Sequence, residues 1–128
     1  MRIDALKLAA ETDAVDWQET GVPGVRLVPL FPDHVVSSGG GAREATVLIR
    51  MEPGHGYPAH RHLDVEEVLL LQGGYRDERG EHRAGDYVRY EAGSVHTPVA
   101  LGDASAPAGA DNPPCVLFAV ARGGIERP

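Results

Sequence analysis

One cysteine, one tryptophan and two phenylalanines are all that this 128-residue chain has of those residues. A lone cysteine forms no internal disulfide, so a disulfide scaffold is excluded and a reducing, cytoplasmic setting is expected. Aromatic residues make up only 5% of the chain, which calls for a mostly aliphatic core. Basic residues are also scarce: 12 Lys plus Arg face 19 Asp plus Glu, a formal net charge of −7. Such a chain repels phosphate, so neither a nucleic acid nor an anionic membrane is an expected partner. No run approaches the ~20 apolar residues that a membrane helix needs. The start, Met1-Arg2-Ile3-Asp4, leads into acidic residues and not into an apolar stretch, so no secretory signal is read.

What the chain has in abundance is punctuation, with 16 glycines and 10 prolines against a usual combined share of about 12%. Each interrupts regular structure, so long helices are disfavoured, and the absence of a three-residue period excludes collagen. Hydrophobic residues at 42% still make the chain globular. Residues 4–19 carry a weak helical pattern (Leu6, Leu8, Ala9, Ala10) that Asp13 and Asp16 interrupt, and could equally be an extended arm ending at Trp17. We read residues 1–23 as an N-terminal arm and 24–128 as one domain. From Gly24 onward the pattern predicts strands at 25–31, 45–51, 68–71, 87–91, 95–101 and 116–121, with a charged hairpin around Gly80. About seven to nine strands at this spacing predict an all-β sandwich or barrel.

Six histidines stand in the chain, and the informative pair is His60-Arg61-His62. On a strand, residues i and i+2 share a face, so both imidazoles can converge on one point. Glu66 has the same parity and reaches the same interior if the strand continues or bends slightly, and His96 could approach from a later strand. Imidazoles with a carboxylate suit Fe(II), Zn(II), Mn(II), Ni(II) or Co(II), and do not suit Ca(II). Glu67 should face the other way. His55 lies in a Gly-His-Gly turn and is expected as a solvated loop residue, His34 and His82 lie in polar loops and are expected to be exposed, and Cys115 is expected as a buried, inert thiol. Of Arg89 and Tyr90, one should face inward, where an Arg would bind a carboxylate or enolate. Tyr57 precedes the histidine strand and could touch a substrate or cap the barrel. Tyr57, Arg89 and Tyr90 are therefore substrate-binding candidates. Val47, Ile49, Val68, Leu70, Val88 and Phe118 are candidates for a dry surround.

The stretch Gly54-(x5)-His60-x-His62-(x3)-Glu66-(x6)-Gly73 resembles the first motif of the cupin superfamily at every defined position. A second motif runs from Gly85-Asp86 to Gly93-x-x-His96, with Glu91 in the place of the usual Pro and Ala100 in that of the usual Asn. The resemblance covers about residues 42–121. It implies a small antiparallel jelly-roll barrel with a divalent transition metal near one mouth, held by His60, His62, Glu66 and His96. The run from Pro58 to Gly73, with Tyr75-Arg-Asp-Glu-Arg-Gly-Glu and Gly93-Ser-Val-His96-Thr-Pro98, is similar to the cupin domain of ChrR-type anti-sigma factors. That group is similar in turn to acetylacetone dioxygenase. ChrR-type factors carry an extra helical zinc domain that grips the sigma factor, for which this sequence has neither the length nor the Cys and His content. Small cupins are often dimers, and an arm bearing a Trp would suit strand exchange in a homodimer.

Two chemistries follow from one ligand set. Four protein ligands on a tetrahedral ion leave no open position, which is a structural or sensing zinc site. On an octahedral ion they leave two, where substrate and dioxygen could bind side by side on Fe(II). The leading expectation is a metal-binding cupin with a small-molecule pocket, a non-haem Fe(II) dioxygenase acting on a β-dicarbonyl-like compound. The alternative is a zinc-binding regulatory module without catalysis, and the third is a barrel whose histidines are purely structural.

Overall fold

The computed structural model describes residues 2–4, 15–31 and 44–126. Most of the segment 4–19, the loop 37–41 and His34 lie outside them. Twelve strands run in chain order through the described residues, and no helix is found among these. They are β1 (Gln18–Glu19), β2 (Val25–Phe31), β3 (Ala45–Met51), β4 (His60–His62), β5 (Glu66–Gln72) and β6 (Gly74–Asp77). β7 (Gly80–Arg83), β8 (Tyr87–Tyr90), β9 (Val95–His96), β10 (Val99–Ala100), β11 (Cys115–Ala121) and β12 (Ile125–Glu126) follow. Six form one sheet in the order β1-β2-β3-β11-β5-β8; the others form two three-stranded sheets, β10-β6-β7 and β12-β4-β9. Every pairing is antiparallel. The chain is therefore the all-β antiparallel jelly roll that the motif spacing implies.

The central strands of the large sheet are apolar on both faces, which is why they read as unbroken hydrophobic runs and not as alternation. Val25, Val47, Met51, Val68, Leu70, Leu117 and Ala119 face the barrel interior. Each fully buried Val or Leu of this set contributes roughly 1.5–3 kcal/mol through removal of apolar surface from water. Leu48 and Val116 face the other way and carry a second cluster. Trp17 packs there with Val28 and Leu30, so the described end of the arm is pinned to the outside of the large sheet. Phe118 belongs to this outer cluster too, which corrects its assignment to the site surround. Cys115, Leu117 and Ala119 are the inward residues of β11, one residue out of phase with that expectation.

Two turns position the site. The expected strand 95–101 is broken into β9 and β10 because Pro98 brings no N–H to a ladder. Its carbonyl instead accepts a hydrogen bond from the Tyr57 amide at 3.0 Å, which ties the segment before β4 to the segment after β9. Gly73, between β5 and β6, has φ +65°, and a Cβ built on it would stand 2.4 Å from the Pro114 carbonyl oxygen. Both the backbone sign and the space there require glycine.

Candidate metal centre

β4 and β9 pair so that His60 lies directly opposite His96. The pairing is closed by backbone bonds on either side of the 91–94 turn: the His62 amide donates to the Ser94 carbonyl at 2.9 Å, and the Gly93 amide to the His62 carbonyl at 2.7 Å. The alternation of β4 leaves Arg61 exposed and buries both of its neighbours. His60, His62 and His96 are thereby drawn into the interior, and one ring nitrogen of each lies within 4.8 Å of the others. Nε2 of His60 and Nε2 of His96 are 2.8 Å apart.

The opposite nitrogen of each ring has a partner that fixes its tautomer. His60 Nδ1 donates to the Pro58 carbonyl at 2.9 Å. His96 Nδ1 donates to Asp77 Oδ2 at 2.9 Å. His62 Nδ1 lies 3.1 Å from Ser94 Oγ, whose own proton goes to the Glu91 carbonyl at 2.6 Å, so the hydroxyl oxygen accepts from His62. With protons on all three Nδ1 atoms, three Nε2 lone pairs face one another. His62 Nε2 is fully buried and has no hydrogen-bond partner among the described residues. A buried nitrogen left so costs about 1–3 kcal/mol, and two lone pairs at 2.8 Å repel. A cation accepting all three nitrogens removes both penalties, so the donor set fits a divalent transition metal. Burial is the main reason that the His60 and His62 imidazoles are pushed down to about 4, and it lowers His96 as well. All three rings are thus held neutral, as ligation requires.

Glu66 reaches the cluster from a different sheet. The chain turns at residues 63–65, and β5 leaves within the large sheet, paired through Glu66 with Tyr90. Glu66 Oε2 stands 3.6 Å from His62 Nε2, too far for a hydrogen bond, and burial pushes its carboxyl up to about 7. Three imidazoles therefore form the compact set, with Glu66 beside one of them. Glu67 faces outward, bonded to Tyr87 and Arg122.

Of the substrate-binding candidates, Tyr90 is the inward member of β8 and Arg89 the outward one. Arg89 is exposed and pairs with Glu91 at 2.9 Å, so the structure does not bring it to the histidines. Tyr90 stacks on His62 at 4.9 Å and lies against His96 at 4.2 Å. Its hydroxyl donates to Asp77 at 2.5 Å and accepts from Tyr75, and the Arg79 guanidinium covers its ring at 4.7 Å. Tyr57 stands edge-on to His60 at 5.3 Å. His82, expected to be exposed, is largely buried on β7 and donates to Asp77 Oδ1 at 2.9 Å. His55 is half-buried against Gly24, with Nδ1 bonded to the Pro53 carbonyl. Cys115 is buried, and its thiol is pushed up to about 12 by that burial.

Asp77 was missed at the level of sequence, where it reads as one more charge in a polar hairpin. The available signal was parity: Tyr75 and Asp77 share a face of β6, and an acidic residue in phase with a buried aromatic calls for a partner inside. The open groove of about 700 Å³ between β6, β7 and the 101–104 turn is a separate feature, lined by Arg76, Arg83 and Asp103 and by none of the histidines.

Comparison with known proteins agrees with this architecture. The sequence profile of the ChrR cupin-like domain matches residues 6–106. The anti-sigma-E factor ChrR of Cereibacter sphaeroides is 37% identical over 71 residues, which cover 48% of this chain and 33% of that protein. The crystal structure of Rhodobacter sphaeroides SigE in complex with the anti-sigma ChrR superposes with a TM-score of 0.64 at 28% identity, over 85% of this chain and 49% of that one. The chain thus spans half or less of these relatives. An acetylacetone dioxygenase from Acinetobacter johnsonii shares the fold, with a TM-score of 0.66 at 14% identity over 99% of this chain and 75% of that one.

Proposed function

This chain belongs to the ChrR cupin-like domain family, and on that premise we propose that it is a metal-dependent cupin domain whose ion is held by Nε2 of His60, His62 and His96, with Glu66 as the fourth donor. The observation that carries the reading is the buried His62 Nε2 without a partner, beside two Nε2 atoms 2.8 Å apart. The bound ion would supply Lewis-acid and redox chemistry toward a chelating carbonyl compound and dioxygen, the chemistry of a non-haem Fe(II) dioxygenase. The protein's own part is to keep the rings neutral and oriented. Val68, Leu70 and Val88 belong to the buried apolar cluster that also holds Tyr90, which supports a dry surround; Tyr90 backs His62, and Tyr57 offers an aromatic edge to a small molecule beside His60.

A second reading has its own support. The relatives at 28% and 37% identity are anti-sigma factors, whereas the dioxygenase likeness, at 14%, extends to the fold alone. A zinc ion closed by all four donors would make the domain a cytoplasmic regulatory module that acts through a protein partner, in place of a small-molecule enzyme. Homodimerisation fits both readings. One experiment divides them. Protein purified without added metal is analysed for its ion, then loaded with Fe(II) and tested for oxygen uptake against a panel of β-dicarbonyl compounds. Uptake that His62→Ala abolishes establishes the enzyme. Tight zinc with no uptake by the Fe(II) form establishes the regulatory module.

A further inference from the structure

Asp77 ends β6 with its side chain fully buried. Carboxylates are almost never buried so completely unless they are paired. Its two oxygens meet four donors. Oδ2 accepts from His96 Nδ1 at 2.9 Å and from the Tyr90 hydroxyl at 2.5 Å. Oδ1 accepts from His82 Nε2 at 2.9 Å and from the Arg79 amide at 3.0 Å. With four donors aimed at its two oxygens, the carboxyl accepts at every contact and has no acceptor toward which to carry a proton, as an ionised carboxylate does. A negative charge therefore sits one imidazole away from the point where three Nε2 atoms converge.

The three rings are oriented by different acceptors: a carbonyl behind His60, a hydroxyl behind His62 and a carboxylate behind His96. Of these, the carboxylate alone carries charge, so it most strongly raises the basicity of the ring that it holds. It is also the most firmly anchored, because Tyr90 and His82 grip it from β8 and β7 while Tyr75 supports Tyr90.

We infer that Asp77 is the positioning residue of the centre: it holds His96 in the Nδ1–H tautomer with Nε2 aimed at the ion, and Tyr90 and His82 lock it in that role. The inference rests on the proposal that the histidines are ligands. A carboxylate that merely stitched β6 to its neighbours could be replaced without changing the affinity or geometry of a bound ion. Asp77→Asn preserves size and removes the charge and one of the two acceptor oxygens. Its amide group must then face either His96 or His82, and facing His96 it favours the Nε2–H tautomer, which has no lone pair on Nε2 to offer the ion.

The test uses Co(II) as the probe. The full chain and Asp77→Asn are titrated with Co(II), with affinity read by chelator competition and geometry by the visible absorption bands. We expect the wild type to bind one ion and the variant to bind about 10- to 100-fold more weakly, with shifted bands. Wild-type binding with the variant within twofold and its bands unchanged overturns this inference alone. No binding by the wild type overturns the metal proposal and this inference with it. Should the variant fail to fold, long-range ¹H–¹⁵N NMR of the zinc-loaded wild type decides. His96 ligating through Nε2 with a slowly exchanging Nδ1 proton supports the assignment, and ligation through Nδ1 overturns it.

Discussion

His60 and His96 face each other across the β4–β9 ladder with their Nε2 atoms 2.8 Å apart, while the Nδ1 proton of each is held by an acceptor behind the ring. Without a cation this pair is a repulsive element at the centre of the barrel; with one it becomes a clamp joining two strands of two and three residues. Metal removal should therefore destabilise the fold. An ion at one hundred times its dissociation constant adds about 2.7 kcal/mol, and for a domain of this size that corresponds to roughly 10 °C in Tm. Differential scanning calorimetry with and without a chelator tests this. An unchanged Tm would favour the purely structural barrel.

His62 and Arg89 should behave in opposite ways. His62→Ala removes a fully buried ring that stacks on Tyr90. It should abolish the metal-dependent Tm shift and also cost stability, by roughly 2–4 kcal/mol on the scale of buried large-to-small changes. Arg89→Ala removes an exposed side chain whose ion pair is with the exposed Glu91. It should leave metal affinity unchanged and alter stability by less than about 0.5 kcal/mol. Isothermal titration with Zn(II) on both variants is decisive, and a large loss of affinity in Arg89→Ala would contradict the outward placement of that residue.

Acid should weaken the metal-free protein well above the range in which carboxylates usually titrate. His60 and His62 have folded values near 4 against an ordinary 6.5, so the unfolded chain binds more protons between these limits. Their contribution is complete above pH 6.5 and is lost as the pH falls toward 4. Glu66, raised to about 7 from 4.5, acts in the opposite sense: the folded chain keeps its proton longer, so its contribution is lost as the pH rises through that window. Two histidines against one carboxyl leave a net loss of roughly 2 kcal/mol between pH 7 and 4.5, taking about 1.4 kcal/mol per unit. Urea midpoints of metal-free protein at pH 7, 6 and 5 should fall in that order, and a midpoint that rises on acidification would refute the assignment.

The strands were legible in the sequence as apolar runs bounded by glycine and proline, and the convergence of His60 and His62 was legible from period-two alternation. β2 falls where its apolar run between Pro23 and Pro32 places it and β3 where its β-branched run does, and Gly54, Gly73, Gly85 and Gly93 all take positive φ. What was not legible depends on contacts between sheets. Phe118 is out of phase because both faces of β11 are buried, so composition could not tell the interior from the outer cluster that holds Trp17. Asp77 and His82 look like hairpin charges until β6 and β7 are seen to stand behind His96. Glu66 shares parity with His62, yet it approaches from another sheet after a turn, a geometry that linear spacing cannot express.

Glu66 decides how the centre is built, and Glu66→Gln separates its roles. In the metal-free protein at pH 8 the wild-type carboxyl is ionised in a largely buried place, a state that its raised value marks as unfavourable by about 3 kcal/mol. A neutral amide of the same shape relieves part of that cost, so the variant should unfold at higher urea than the wild type at pH 8. At pH 5, where the wild-type carboxyl is protonated, the two should converge. Because the opposing contribution of Glu66 is gone, the variant should also lose stability more steeply between pH 7 and 4.5. With metal the order reverses if Glu66 is the fourth donor, since an amide oxygen is a weaker ligand than a carboxylate. Zn(II) affinity should then fall by at least tenfold, within the range in which a supporting group costs 10–100-fold. An unchanged affinity together with the raised pH 8 stability would instead define a centre of three histidines alone, with Glu66 left beside it as a buried acid whose value near 7 suits proton transfer to or from a bound substrate.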